Sequence, residues 1–131
     1  MDEKSEQMYT SSGDCLVGQW NLQDDSCIQM WKFADPISCL VLDTSKQFLL
    51  SGAWDNNVRM IDLKENKLVK SFTASKEIIN CICYYEIPPG EKTEEKKFVF
   101  VAGEDHVIRS FDLETGETKM YTHHKNWVNS L

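Results

Sequence analysis

Apolar residues along this chain come in runs of five to eight, rich in Val, Ile, Phe, Tyr and Thr and broken by polar turns. Runs that short, with those residues, predict strands rather than helices. The pattern also repeats. DCLVGQWNLQDDSCIQMWKF from Asp14, DNNVRMIDLKENKLVKSFTA from Asp55 and DHVIRSFDLETGETKMYTHH from Asp105 align without a gap, starting 41 and then 50 positions apart. Each copy opens on an aspartate, reaches an apolar-polar-Leu triplet (Trp20-Asn21-Leu22, Ile61-Asp62-Leu63, Phe111-Asp112-Leu113), and crosses a polar turn, QDDS, KENK or ETGE. A second apolar run then follows, at Cys27 to Phe33, Leu68 to Thr73 and Thr118 to Thr122. Upstream of each aspartate a run ends in small residues, as FLLSG and FVFVAG do, which suits a tight hairpin turn. ISCLVL from Ile37 and IINCICYY from Ile78 precede those runs and have the apolar character of buried strands. Each unit is therefore expected to hold four antiparallel strands.

Four antiparallel strands recurring at this interval is the period of a propeller blade. The stretch SGAWDNNVRMIDL, Ser51 to Leu63, resembles the second and third strands of a WD40 repeat, and HHKNWVNSL, His123 to Leu131, resembles the loop and first strand that open another. The resemblance implies an all-β fold, a partial WD40-like β-propeller of about three four-stranded antiparallel blades with open ends. Setting Asp2 opposite Asp43 places Met1 at the end of a first strand. The expected division is 1-35, a partial blade lacking its first strand; 36-74, a blade; 75-122, a blade with a solvated loop insertion at 86-97; and 123-131, the first strand of a further blade. The chain then reads either as part of a longer propeller protein or as a self-associating module that completes a propeller by strand exchange.

Blades of this family often carry a hydrogen-bonded tetrad of turn aspartate, strand hydroxyl, loop histidine and tryptophan. By resemblance Asp14, Asp55 and Asp105 take the aspartate position, Ser51 the hydroxyl position with Ser12 a looser match, Trp20 the tryptophan and His124 the histidine. The loops KFAD and TASK lack the histidine, and Ile61 and Phe111 replace the tryptophan. Networks with absent members are expected to weaken the blades. The resemblance also implies a non-catalytic platform for other proteins or peptides. Trp54 and Glu104, each just before a turn aspartate, and Lys125 and Trp127 are the candidate partner-binding residues, since an exposed tryptophan is a favoured anchor. Packing between blades is the alternative for both tryptophans. Trp20 and Trp31 are expected in the core.

Composition narrows the alternatives. A net charge of -7 over 131 residues argues against a nucleic acid partner. No stretch of about 18 apolar residues occurs, and the opening MDEKSEQ is acidic where a secretory signal is basic and then apolar. The expected location is the cytoplasm, with the nucleus as the alternative. Arg59 and Arg109 lie 50 residues apart, unlike the adjacent arginines of phosphoinositide-reading propellers, so no membrane partner is expected. Five cysteines without a CxxC pair read as reduced, buried thiols rather than metal ligands. No nucleophile sits beside a base, and the pairs Asp24-Asp25 and Glu94-Glu95 fall where solvated charge is expected. No catalysis, cofactor or metal is expected.

Overall fold

The computed structural model describes residues 6–43, 45, 47–91 and 94–131. Among the described residues there are eleven strands and no helix. The first sheet joins β1 (Gln7–Ser11), β2 (Leu16–Asn21) and β3 (Ser26–Lys32); the second joins β4 (Ile37–Leu42), β5 (Phe48–Ala53), β6 (Asn57–Asp62) and β7 (Lys67–Thr73). The third joins β8 (Ile79–Ile87), β9 (Lys96–Gly103), β10 (Ile108–Asp112) and β11 (Thr118–Tyr121). All pairings are antiparallel between chain neighbours, so each sheet is a meander like a propeller blade, and the three do not close into a ring.

The same two turns recur in every sheet. The residue after each turn aspartate, Cys15, Asn56 or His106, has positive φ of 70°, 68° or 65°. A second left-handed residue, Asp25, Asn66 or Gly116, closes the following hairpin. These are positions where Asn, Asp and Gly are least strained. The polar residue of each triplet holds that second turn. Asn21 Oδ1 accepts from the Gln23 N–H at 2.8 Å, Asp62 Oδ1 from Lys64 at 2.9 Å and Glu65 at 3.1 Å, and Asp112 Oδ1 from Glu114 at 2.9 Å and Thr115 at 3.2 Å. Such side-chain-to-backbone bonds are why Asn and Asp favour turns.

Two buried clusters join the sheets. Val17, Ile37, Leu49, Ala53 and Ile61 lie between the first and second, with Trp31 and Phe33 packed against them. Leu50, Val58, Ala74, Ile79, Val99 and Val101 lie between the second and third. Each buried Val, Leu or Ile contributes about 1.5–3 kcal/mol, so these joints carry most of the stabilisation. The edge strands β7 and β11 are almost wholly exposed, Leu68, Val69 and Met120 among them. A register shift in the pairing of β4 with β5 and of β8 with β9 frees Ser38 and Asn80. Both reach forward: Ser38 Oγ donates to the Ile79 carbonyl, and Asn80 Nδ2 to the Val128 carbonyl at 3.4 Å.

Three elements differ from the sequence reading. Residues 123-131, expected as a first strand, form none, because a strand needs a ladder partner and among the described residues only the Val128 N–H finds one, the Gly103 carbonyl at 3.0 Å. The insertion expected as loop over 86-97 is partly strand, since Glu86 pairs with Lys97 and Ile87 with Lys96, with residues 92 and 93 outside the described set. The cysteines, expected buried, are free but not fully enclosed: Cys27 is exposed on β3, and Cys15, Cys39, Cys81 and Cys83 are half-buried. Burial still pushes the Cys39 thiol up to about 11, against hydrogen bonds to Ser38 and the Gly52 backbone.

Candidate interaction rim

The three turn aspartates stand at one end of the sheets in three different environments. Asp105 is the most enclosed. Its carboxylate accepts from Arg109 Nη1 at 2.5 Å, from Ser75 Oγ at 3.2 Å and from the Lys76 N–H at 3.2 Å. Asp55 pairs with Arg59, also four residues on, and accepts from the Asn57 N–H at 3.2 Å. For both carboxyls burial pushes the pKa up, but the arginine hydrogen bond, backbone N–H groups and the guanidinium charge outweigh it and hold them below the usual range. Asp14 is exposed and bonds only its own turn, accepting from the Leu16 N–H at 3.1 Å.

Gly18 occupies the place of those arginines in the first sheet. A Cβ there would lie 2.7 Å from Trp20 Nε1, so the indole fills the space an arginine takes elsewhere. Trp20 is half-buried, and its Nε1–H donates to Thr10 Oγ1 at 2.9 Å. The hydroxyl partner is thus Thr10, four residues before Asp14 as Ser51 is before Asp55. Ser12 Oγ instead accepts from the Asp14 N–H at 3.2 Å. Ser51 is fully buried, and its hydroxyl has no hydrogen-bond partner among the described residues.

The crossing loops bridge to the next sheet's turn. Phe33 and Ser75 each lie four residues before a buried isoleucine, Ile37 and Ile79, as His124 lies four before Val128. Ser75 bonds Asp105 as above, whereas the Phe33 ring carries the Arg59 guanidinium at 5.4 Å from its centre, a cation–π contact. His124 is exposed and makes no hydrogen bond among the described residues. Sequence reasoning missed Phe33, Ser75 and the aspartate-arginine pairs, although spacing from the core isoleucines and the turn aspartates carried all of them.

The same loops and turns form a rim. The Trp54 N–H donates to the Pro36 carbonyl at 3.0 Å and the Glu104 N–H to the Ile78 carbonyl at 3.0 Å, which stitches turn to crossing loop in two successive sheets. Trp127 precedes Val128 as Pro36 and Ile78 precede Ile37 and Ile79. A groove of about 460 Å³ over the third turn is lined by Lys76, Glu77, Glu104, Asp105, His106 and Trp127. Trp54 is 53% and Trp127 57% exposed, and Lys125 is exposed beside the latter. An indole face flanked by both signs of charge can anchor a side chain and orient polar groups around it. Among the described residues no group of three or more His, Cys, Asp or Glu could hold a metal ion.

Comparison with known proteins agrees with this architecture. Residues 25–62 match the family model for the WD domain, G-beta repeat. Transducin beta-like protein 3 of Bos taurus is 24% identical over 127 residues, 95% of this chain, and that of Rattus norvegicus 22% identical over 129 residues, 96% of this chain. The chain spans 15% of the length of these relatives. The solved structures of U3-55K and of the RRP9 WD40 repeats each superpose on 97% of the chain with a TM-score of 0.81, covering 39% and 38% of those chains. At 9% identity these two show a shared fold alone.

Proposed function

We propose that this chain, whose residues 25–62 match a WD40 repeat and whose sheets fold as an open part of a β-propeller, is a non-catalytic platform binding other proteins or peptides through the rim of Trp54, Glu104, Lys125 and Trp127. Propellers of this kind generally mediate protein–protein contacts. The observation that carries the reading is the pair of tryptophans, each more than half exposed, at the end where turns and crossing loops meet. Exposing an indole to water forgoes a large burial gain, and a protein surface rich in such anchors is an interaction surface.

The test is affinity capture on the immobilised chain, with bound proteins quantified by mass spectrometry. Trp54→Ala and Trp127→Ala should each reduce retention of the specific partners about tenfold, the loss of one hot-spot side chain, while Leu68→Ala on the outer strand β7 should leave it unchanged. Equal retention by both rim variants and the native chain would overturn the reading.

A further inference from the structure

The two joints between sheets are built on the same plan but filled differently on their outer side. Trp31 and Phe72 hold equal ladder positions, opposite Val17 and Val58. Asn66 and Gly116 hold equal turn positions, each the left-handed residue four after the aspartate that holds the turn. At the first joint the Trp31 indole reaches across to the second sheet and its Nε1–H donates to Asn66 Oδ1 at 2.9 Å. At the second joint both partners are smaller. Phe72 stops at Phe111, ring centres 5.0 Å apart and planes at 53°, and Gly116 has no side chain to meet it. What remains is a cleft of about 260 Å³ lined by Phe72, Phe111, Gly116, Asp112, Thr118 and Lys70. The Lys70 ammonium donates to the Leu113 carbonyl at 3.0 Å and bridges the two sheets beside the cleft.

We infer that this cleft is a second binding site, on the side of the molecule, and that it takes the indole of a tryptophan side chain presented by a partner protein. It rests on the platform reading in that the ligand belongs to a protein. The occupant is argued from the chain itself, since the equivalent space one sheet earlier is filled by an indole. The chemistry of the lining agrees. Phe72 and Phe111 offer faces and edges for an aromatic ring, and tilted or offset aromatic pairs are worth about 0.5–1.5 kcal/mol beyond their area. Asp112 and Thr118 place acceptor oxygens at the edge, where the indole N–H needs one if it leaves water. A purely aliphatic side chain would gain neither.

The experiment is an NMR titration of the full chain with N-acetyl-tryptophanamide, using N-acetyl-leucinamide as comparison. The expected result is saturable shifts of the Gly116 and Thr118 amides, contacts between indole protons and the Phe72 and Phe111 rings, and affinity about tenfold above the leucine compound, equal to 1.4 kcal/mol. Phe72→Trp combined with Gly116→Asn rebuilds the filled joint from within and should weaken the shifts about tenfold or more. Shifts that persist in that variant, equal affinity for the leucine compound, or absence of ring contacts in the native chain would each overturn the inference. The ring contacts need no variant, so a substitution that failed to fold would leave the test standing. Loss of partner capture by the Trp54 and Trp127 variants with an empty cleft would retire this inference and keep the rim. An occupied cleft with unaffected capture would do the reverse.

Discussion

Thr10 and Ser51 stand at the same place in the first and second sheets, opposite Gly18 and Arg59 respectively, and only one of them is used. Where glycine leaves room, the Trp20 indole folds over the strand and donates to Thr10. Where arginine fills that room to neutralise Asp55, and Ile61 replaces the tryptophan, Ser51 is buried without a partner among the described residues. The third sheet resolves the conflict by placing Val101 opposite Arg109. The lesson is that an aspartate-arginine pair and a tryptophan-hydroxyl bond compete for one volume, so each sheet commits to one of them.

The largest expected break of this comparison is Arg109→Leu. It leaves the enclosed Asp105 carboxylate without its cation and should cost about 3–5 kcal/mol in urea unfolding, with a smaller loss for Arg59→Leu, whose pair is less buried. Asp14→Asn in the exposed first turn should move the same midpoint very little.

Gly103→Ala comes next. Ala53 holds the equivalent place in the second sheet, yet a Cβ at Gly103 would lie 2.0 Å from the Ile78 carbonyl oxygen. Backbone cannot step aside cheaply, and a loss of about 1–3 kcal/mol is expected. Smaller still is the exchange at the hydroxyl position. Ser51→Val removes an unpaired buried polar atom and should raise the thermal midpoint by an amount worth about 1 kcal/mol, whereas Thr10→Val orphans the Trp20 N–H and should lower it by a similar amount. Opposite signs at equivalent positions would confirm the competition; equal signs would refute it.

The smallest effect per residue is the pH dependence of the hairpin turns. Backbone N–H groups hold Asp62 and Asp112 below the ordinary carboxylate range, the Glu65 N–H being the main cause for the first and Glu114 for the second. The unfolded chain then binds protons more readily, so stability is full above the unfolded pKa of about 4 and falls as pH drops through the lower folded values. Asn21 builds the same turn in the first sheet without titrating. Asp112→Asn should therefore keep the turn and flatten the acid side of the stability profile measured by circular dichroism.

Much of this was legible in the residues. The aspartate register and polar turn at a constant offset predicted three meanders, because each hairpin is closed locally by a few residues and their side chains. Thr10 is equally legible, four places before Asp14 as Ser51 is before Asp55, whereas Ser12 is nearer in sequence and its hydroxyl serves the turn. Arg59 and Arg109 are legible as partners of Asp55 and Asp105 through their distance of four across a tight turn, which is what pairs them. His124, Trp54, Glu104, Lys125 and Trp127 could be placed on loops by repeat position.

The sequence by itself determined the three meanders, their strand order and the turn residues, since these depend on contacts between chain neighbours and on the two-residue alternation of side chains. Only the tertiary structure decided which buried groups are satisfied and where space remains. Trp31 meets Asn66 across 35 residues and Lys70 meets Leu113 across 43, and whether such pairs fill a joint depends on the volumes of side chains from two sheets at once. Packing is a property of both surfaces together, which is why the orphaned Ser51 hydroxyl and the cleft beside Gly116 have no signature in either segment alone.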